Sequence, residues 1–574
     1  MPFTPATTEQ RFVLDHITGI AALAQSERFA AASDDVVDAV LDGVGQLAEG
    51  EWAPLQRIGD TVGAKWTTEG VVMPDGYVAA YHDYVEGGWG TIGVPEEFGG
   101  QGLPFAIQTA VLETLGSANM GFALAPTLTV GAIEALAHHG SPEQQALYLP
   151  HLATGAWTGT MNLTEPQAGS DVGALRSTAT PLGEGKFAIK GTKIYISFGD
   201  HDMAPNIVHL VLARTPGAPA GTKGISLFLV PKYRLNADGT PGDFNDVRVV
   251  SIEHKMGLHA SPTCVLSFGD NDDCIGELIG GEFGGIRAMF TMMNNARLNV
   301  GLQGVQIAEG ATQAAVAYAL DRVQSARAGG ASRDSVRIVE HPDVRRMLMR
   351  MKAQTQAARA LVYLAAAQVD RAALGEASAQ NRLEILTPLA KAHGTDIGCE
   401  VSSIGVQVFG GMGYIEETGA AQFFRDARIT PIYEGTNGIQ AADLVGRKLG
   451  LDNGAAFAAL IADMRAEAQN AGLIALIDAC EEIGRGMMAL DADDKLAGSY
   501  PFLTMLSVAT CGWLMERLGR VADSAEGDAS FLAMKTAATR FYVEQIVPEA
   551  LGLKAAATAR ADVLYSVEAE AFAA

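Results

Sequence analysis

The sequence predicts a multidomain α+β protein, on three observations. A chain of 574 residues exceeds the size at which one hydrophobic core keeps growing, so several domains are expected. The central region alternates short β-prone runs with Gly, Pro and Asp turns, whereas the regions on both sides carry apolar residues at helical spacing. A hydrophobic content of 48% supplies enough apolar side chains to fill the cores of these domains.

The N-terminal domain, predicted over residues 1–157, begins with an extension and is helical. Apolar residues recur at three-to-four spacing in 34–47 and in 105–115, as in an amphipathic helix. Ser141 followed by Pro142 predicts a helix start, because serine is a favoured N-cap and proline fits the first helical turn.

The middle domain, predicted over residues 158–283, is an all-β sandwich or barrel. Turn residues separate its β-prone runs, as expected for short strands. These runs lie at 187–189, 193–196, 207–212, 225–230 and 247–252.

Two helical domains are predicted to follow. Residues 284–450 form a bundle, because three stretches carry long apolar faces, at 286–320, 342–374 and 382–409. Within the bundle, 329–332 is predicted to be a loop, and Pro388 to kink or break the third stretch. Residues 451–574, rich in Ala and Leu, predict an additional helical domain with a break near 498–501.

Charge and cysteine usage narrow the class of protein. A net charge of −25 argues against nucleic acid or an anionic membrane as main partner, because phosphate binding requires concentrated Lys and Arg. The N-terminus lacks the pattern of a signal peptide, and nowhere do 18 apolar residues run uninterrupted, so neither secretion nor a membrane span is predicted. Without a CxxC pair, the cysteines predict reduced thiols of a cytoplasmic protein rather than a zinc site; they are Cys264, Cys274, Cys399, Cys480 and Cys511.

Glu434 is the first candidate for catalysis. It lies between Tyr433 and Gly435 and is followed by Thr436, so a backbone that can approach a ligand closely carries a carboxylate, an amide and a hydroxyl. Proton abstraction next to a bound carbonyl requires such an arrangement. An isolated Glu-Gly pair is usually a solvated loop, so the interpretation depends on motifs elsewhere in the chain.

Two further segments place glycine where a ligand can approach. Residues 161–171, with Gly169, are either an ordinary turn or a loop offering amides and hydroxyls to a polar ring system and its phosphates. Residues 407–414 contain three glycines after a helix, more than a helix end needs, which favours an approaching ligand or neighbouring subunit. Because this cluster follows no strand, it is not a dinucleotide-binding fingerprint.

With 191–197 and 425–440, these segments occur in the order typical of the acyl-CoA dehydrogenase family of flavoproteins, which the chain resembles. The resemblance covers residues 60–450 and implies a helical N-terminal domain, a middle β-barrel and a C-terminal four-helix bundle. The residues beyond 450 and the segment 415–422 resemble the larger bacterial branch that includes 3-methylmercaptopropionyl-CoA dehydrogenases.

The resemblance implies an FAD enzyme that converts an acyl-CoA to a trans-2-enoyl-CoA. Glu434 would remove the α-proton while the β-hydrogen leaves as hydride to flavin N5, with hydrogen bonds stabilising the charge on the thioester carbonyl. An electron-transfer flavoprotein would accept the electrons, and the enzyme would be a homo-oligomer, dimer or tetramer. The acyl group, 3-methylmercaptopropionyl or another short one, is left open.

The resemblance also assigns binding roles, position by position. The residues that would bind FAD are Leu163, Thr164, Tyr195, Ser197, Arg322, Gln407, Gly410, Gly411, Thr436 and Asn437. Those on the substrate side would be Ser170, Arg297 and Gly435. Arg322 would meet the FAD pyrophosphate across a subunit interface. Two of these positions depart from the common pattern, because Tyr195 replaces a frequent tryptophan and Ser197 a frequent threonine.

Two other functions compete with this one. An acyl-CoA oxidase would use oxygen as acceptor, which depends on cavity access near the flavin rather than on a motif. A non-catalytic, DNA-associated family member would need a basic C-terminal region. Residues 453–574 instead carry 17 Asp plus Glu against 9 Lys plus Arg, which opposes DNA binding.

Overall fold

The computed structural model describes residues 3–574, except for the side chains of residues 291, 292 and 294. The chain forms two compact units. The bundle unit consists of Met1–Asp35, Pro104–Thr109 and Arg297–Ala574, and the sheet unit of Val36–Leu103 and Ala110–Ala296. The two units interleave along the sequence, because the chain leaves the bundle unit and returns to it.

The N-terminal part is helical, as predicted. Its helices are α1 Thr7–Val13, α2 Ile20–Leu23, α3 Asp34–Leu47, α4 Leu55–Val62, α5 Tyr77–Glu86, α6 Phe105–His139 and α7 Pro142–Thr154. The predicted start of α7 is confirmed: the Ser141 hydroxyl accepts from the backbone N–H of Gln144, whose side chain accepts from the Ser141 N–H. This reciprocal capping box satisfies two backbone donors that the helix itself leaves unpaired.

Helix α6 is long and apolar enough, by length and composition, to cross a membrane. Within its most apolar window, however, 78% of the residues are buried inside the protein. Burial of that kind is typical of a core helix in a large domain. Backbone angles at Asn119 (φ −159°, ψ 87°) interrupt the helical path, and the Asn119 side chain bonds back to the N–H of Phe122.

Most of the strands form one mainly antiparallel sheet in the middle of the chain, whereas β1 pairs with β2 and β8 with β9 in two-stranded sheets. The strands are β1 Lys65–Thr67, β2 Gly70–Val72, β3 Thr158–Asn162, β4 Thr178–Gly183, β5 Lys186–Ser197, β6 Ile207–Ala213, β7 Ser226–Pro231, β8 Tyr233–Leu235, β9 Pro241–Phe244, β10 Val247–Ile252, β11 Thr263–Phe268 and β12 Ile275–Ile279. Eight of them form one sheet in the order β10-β11-β5-β12-β7-β6-β3, with β4 beside β5 and β3 parallel to β6. The predicted runs 187–189 and 193–196 are one strand, β5, rather than two.

Strands β6 and β7 are buried on both faces of this sheet and are mainly apolar along their whole length. Leu210 and Leu229 lie in the cluster that includes residues of α6 and α7, whereas Val211 and Phe228 lie in the cluster on the opposite face. Successive side chains of a strand point to opposite faces, which explains why β6 and β7 lack the alternation of a half-exposed strand.

The bundle follows, with α8 Gly285–Asp321, α9 Pro342–Ala373, α10 Ala377–Phe409, α11 Ala420–Ala427 and α12 Asn437–Asp443, and a hairpin of β13 Val323–Ala326 and β14 Ser335–Arg337. The predicted loop at 329–332 is the turn of that hairpin. The prediction that Pro388 could break the third stretch is wrong, because α10 continues through it. Pro388 is buried, and the surrounding helix is held by tertiary packing.

The C-terminal part is helical to its end. It contains α13 Ala455–Glu467, α14 Ala471–Met487, α15 Ala492–Ala497, α16 Ser499–Ser524, α17 Ala529–Phe541, α18 Val547–Leu551 and α19 Lys554–Ala557. The predicted break near 498–501 is confirmed, since α15 ends at Ala497 and α16 begins at Ser499. Helix α16 forms the centre of this part, with Phe502, Leu506 and Leu514 fully buried.

Candidate active site

Glu434 lies on a strained turn between α11 and α12. Its backbone is left-handed (φ +55°), as is that of Gly435 (φ +84°). A left-handed conformation costs a residue other than glycine about 1–3 kcal/mol and persists where the surroundings impose it, often at functional sites. Directly after the turn, the Thr436 hydroxyl accepts from the N–H of Ile439 (3.2 Å) and caps α12. The carboxylate therefore lies on an irregular turn whose end is anchored by the cap of α12.

Electrostatics suit Glu434 to accept a proton. Burial raises the pKa of its carboxyl above the usual value, because the charged form loses solvation. The Arg297 guanidinium and the Lys391 ammonium act in the opposite direction and favour the carboxylate. Among the residues that the structure describes, neither cation forms a direct ion pair with Glu434. The carboxylate is thus more basic than an exposed glutamate, although two nearby positive charges act against the rise of its pKa.

Arg297 and Gly435 adjoin each other beside this turn. A Cβ on Gly435 would lie 2.8 Å from Gln440 Nε2, which would have to move, and 3.9 Å from a guanidinium nitrogen of Arg297, which is ordinary contact. Arg297 is 7% exposed, with one nitrogen 3.8 Å from Asp443 Oδ2. In the described part of the chain its Nε has no hydrogen-bond partner. A buried guanidinium donor is therefore available to a ligand oxygen here.

Residues 163–165 in the sheet unit, which are part of the first segment predicted to bind the flavin, are held by strand β5. The backbone N–H of Ile194 donates to the carbonyl of Thr164 (2.9 Å). Between two successive pairs of β5 and β11, three residues of β5 oppose two residues of β11, which defines a β-bulge. Tyr195 lies in this bulge, with φ +61°. Tyr195 is 62% exposed, so it is not part of the core beneath the strand. Bulges re-aim side chains, and this one turns an aromatic ring outward.

Sequence reasoning missed the buried ion pair that supports this segment. Lys193 Nζ donates to Glu165 Oε1 (2.9 Å) and to the carbonyl of Leu163 (3.1 Å), and both charged side chains are almost fully buried. Lys193, together with hydrogen bonds from Ser177 and the Arg176 N–H, lowers the pKa of Glu165 to about 2 despite its burial. The pair links 163–165 to β5. Its only signal in the sequence was that two charged residues lie within otherwise apolar or small-residue motifs.

The remaining predicted residues of the sheet unit lie at its surface. Ser170 is exposed and Ser197, at the end of β5, is partly buried. Gly169 is exposed, with open space where a Cβ would lie. Their predicted contacts with substrate and FAD stay predictions.

Arg322 and the glycine cluster of the bundle unit are also exposed. Arg322 directly follows α8 and donates to Gln324 Oε1 (3.1 Å). Gly410 ends α10 with φ +62° and ψ −140°, a conformation open almost only to glycine, and nothing lies within 4 Å of a Cβ built there or on Gly411. Gln407 is exposed as well. An exposed arginine and a bare backbone are what a phosphate-bearing cofactor or a neighbouring subunit would contact.

Asn437 is the predicted cofactor residue whose side chain points inward. It is 3% exposed, and its amide bonds to α10: Nδ2 donates to Asp396 Oδ1 (2.8 Å), and Oδ1 accepts from Lys391 Nζ (2.8 Å). Its side chain therefore holds the turn, and a contact with FAD would have to come from its backbone.

Four family models match consecutive parts of the chain. They are the acyl-CoA dehydrogenase N-terminal domain at residues 38–156, the middle domain at 160–271, the C-terminal domain at 284–449 and the acetyl-CoA dehydrogenase C-terminal-like domain at 451–568. The chain belongs to the acyl-CoA dehydrogenase family. The expected fold, with an extra C-terminal domain, is confirmed.

Relatives match over almost the whole length. The chain is 44% identical to 3-methylmercaptopropionyl-CoA dehydrogenase of Ruegeria pomeroyi, over 96% of this chain and 97% of the relative. It is 36% identical to a butyryl-CoA dehydrogenase of Syntrophomonas wolfei, over 90% of each. An acyl-CoA dehydrogenase from Bacillus anthracis, solved in complex with FAD, shares the fold with a TM-score of 0.73 and 21% identity, over 96% of this chain and 91% of that one.

The family establishes the chain as an FAD-dependent oxidoreductase. The residues present fit that cofactor. Gly410 and Gly411 leave a surface that any Cβ would fill, and Tyr195 presents an aromatic ring to the outside. Held by Lys193, the segment at Leu163 offers backbone groups beside that ring.

Proposed function

We propose that the protein catalyses α,β-dehydrogenation of a short acyl-CoA to the trans-2-enoyl-CoA, with Glu434 as the base that takes the α-proton. One observation carries the proposal. Glu434 lies on a left-handed turn, with a pKa raised by burial and with Arg297 and Lys391 favouring its ionised form. A base of this kind accepts a proton more readily than an exposed glutamate, and the two nearby cations favour its carboxylate form.

Gly435 and Arg297 assist the same step. Gly435 leaves room beside the carboxylate for the Gln440 amide, which a Cβ at this position would meet at 2.8 Å. The unpartnered Nε of Arg297 supplies a buried donor near the turn. Bound FAD supplies the acceptor for the β-hydride. Tyr195 and the Leu163 segment orient that cofactor, and the Lys193–Glu165 pair fixes the segment.

We further propose that the acyl group is short, with 3-methylmercaptopropionyl-CoA and butyryl-CoA as the first substrates to test. Support comes from the names of two relatives that match the chain over at least 90% of its length. An electron-transfer flavoprotein is the proposed acceptor, and a homo-oligomer in the cytoplasm is the proposed form of the enzyme.

Substitution of Glu434 by glutamine tests the assignment. The amide is close in shape to the carboxylate but cannot take the proton, so flavin reduction by substrate should slow by about 10²–10⁴-fold. Bound FAD, measured by its absorbance, should stay at the wild-type level. A nearly normal rate would place the base elsewhere. Stoichiometric hydrogen peroxide, formed with enoyl-CoA when no other acceptor is present, would identify an oxidase instead.

A further inference from the structure

A buried ammonium connects both ends of the Glu434 turn. Lys391 Nζ donates to the carbonyl of Thr430 (3.0 Å), which precedes Glu434, and to Asn437 Oδ1 (2.8 Å), which follows it. Lys391 is fully buried on α10. Because α10 is a long helix in the bundle core, its lysine can hold the two ends of the turn at a constant separation.

Hydrogen bonds continue from this lysine into the C-terminal domain. Asn437 Nδ2 donates to Asp396 Oδ1 (2.8 Å), and the hydroxyl of Tyr500 donates to Asp396 Oδ2 (2.8 Å). Tyr500 lies in the first turn of α16, within the part matched by the additional C-terminal family model. Lys391, Asn437, Asp396 and Tyr500 therefore form one relay of hydrogen bonds, from the catalytic turn to the domain that follows the bundle.

The charges along the relay depend on one another. Burial disfavours the ionised form of Asp396, while hydrogen bonds from Tyr500 and Asn437, and the charges of Lys391 and Arg428, favour it. An ionised Asp396 accepts from both partners at once. Together with the Ala392 carbonyl (3.1 Å) and the Thr395 hydroxyl (2.9 Å), which also accept from Asn437 Nδ2, it orients the amide so that its oxygen faces Lys391. Loss of the Tyr500 hydroxyl would remove one of the two fixed donors and loosen this orientation.

We propose that the relay positions the Glu434 turn, and that through Tyr500 the extra C-terminal domain takes part in catalysis. The four relay residues are positioning residues, since none has to touch the reacting atoms. The proposal rests on the proposed role of Glu434. The relay connects the C-terminal domain to the Glu434 turn by hydrogen bonds, in addition to the packing that α16 provides.

Tyr500→Phe is the direct test, since it removes one hydroxyl from a tyrosine that is 37% exposed and leaves the ring. Tyr542→Phe is the matched control, a buried tyrosine of the same domain outside the relay. In the FAD-loaded Tyr500→Phe enzyme, amide hydrogen exchange of residues 428–437 should be faster than in wild type. Flavin reduction by butyryl-CoA should slow by roughly 3- to 10-fold, the range expected for one hydrogen bond, with acyl-CoA affinity and FAD content unchanged.

A second variant tests the coupling. Asp396→Asn should slow flavin reduction, and adding Tyr500→Phe should slow it little further, because both changes break the same relay. Unchanged exchange at 428–437 in Tyr500→Phe would overturn the proposal, and so would an equal effect of Tyr542→Phe or additive effects in the double variant. Faster exchange with a wild-type rate would also overturn it. If neither wild type nor variants oxidise acyl-CoA thioesters, the proposed function fails, whereas exchange still decides whether Tyr500 holds the turn.

Discussion

Replacing Lys193 by methionine removes the buried cation beneath the flavin segment and leaves Glu165 without its charged partner. Glu165 is 3% exposed, so its carboxylate cannot recover solvation from water. Breaking a buried ion pair from one side costs about 3–5 kcal/mol. Glu165 would still accept from Arg176 N (2.7 Å), Ser177 N (3.0 Å) and Ser177 Oγ (2.6 Å), which places the loss at the lower end, about 3 kcal/mol.

The stability lost in Lys193→Met can be measured as a lower Tm and as a change in how Tm depends on pH. For a domain of roughly 150–250 residues, a loss of about 3 kcal/mol in the free energy of unfolding lowers Tm by roughly 6–12 °C. In the wild type, Glu165 has a pKa of about 2, below its unfolded value, so it stabilises the fold above pH ~4.5 and loses that effect as pH falls toward 2. The difference between wild type and Lys193→Met should therefore be largest near neutral pH and shrink in acid, where the unpaired Glu165 takes up a proton.

Calorimetry at pH 7 and at about pH 4, together with FAD titration, checks this prediction. FAD should bind more weakly to Lys193→Met, because the Leu163 carbonyl also loses its donor. The control is Glu165→Gln combined with Lys193→Met, which removes both charges and should recover much of the lost Tm. A single variant within 1–2 °C of wild type, or a double variant no more stable than the single one, would refute the assignment of the pair as the support of this segment.

Three further outcomes follow from the bundle unit. Arg297→Gln removes a charge that lowers the pKa of Glu434, so the acid limb of the rate of flavin reduction should move to higher pH, whereas Arg297→Lys should leave it near its wild-type position. Gly410→Ala forces a side chain into a glycine conformation, so denaturant titration should show a loss of about 1–3 kcal/mol, and an unchanged midpoint would contradict the strain. Burial raises the pKa of Asp370 to about 7, so its ionisation opposes folding and wild-type stability should fall between pH 4 and 7. Asp370→Asn should lack that fall in urea titrations, and an identical pH dependence would show that Asp370 does not titrate there.

Local patterns in the sequence predicted much of the secondary structure. The cap of α7 depends on Ser141 and three following residues, and the break before α16 on a Gly-Ser-Tyr-Pro run, so neighbours in the chain suffice for both. Strand β5 could not be predicted as one element, because Gly191 and the bulge at Tyr195 interrupt its pattern while pairing with β4, β11 and β12 holds it together. Similarly, packing in the bundle keeps α10 continuous through Pro388.

The candidate active site also combines features that local sequence patterns predict with features that depend on tertiary contacts. The sequence by itself determined the family, the cofactor and the choice of Glu434, because those depend on motifs whose residues are close together in the chain. Only the tertiary structure decided what surrounds them. Lys391 precedes Glu434 by 43 positions and Lys193 follows Glu165 by 28, so nothing in a local pattern pairs them. Burial and the low dielectric of the interior act between groups that folding brings together. They raise the pKa of Glu434 and make Glu165 the fixed anion that supports the segment predicted to bind FAD.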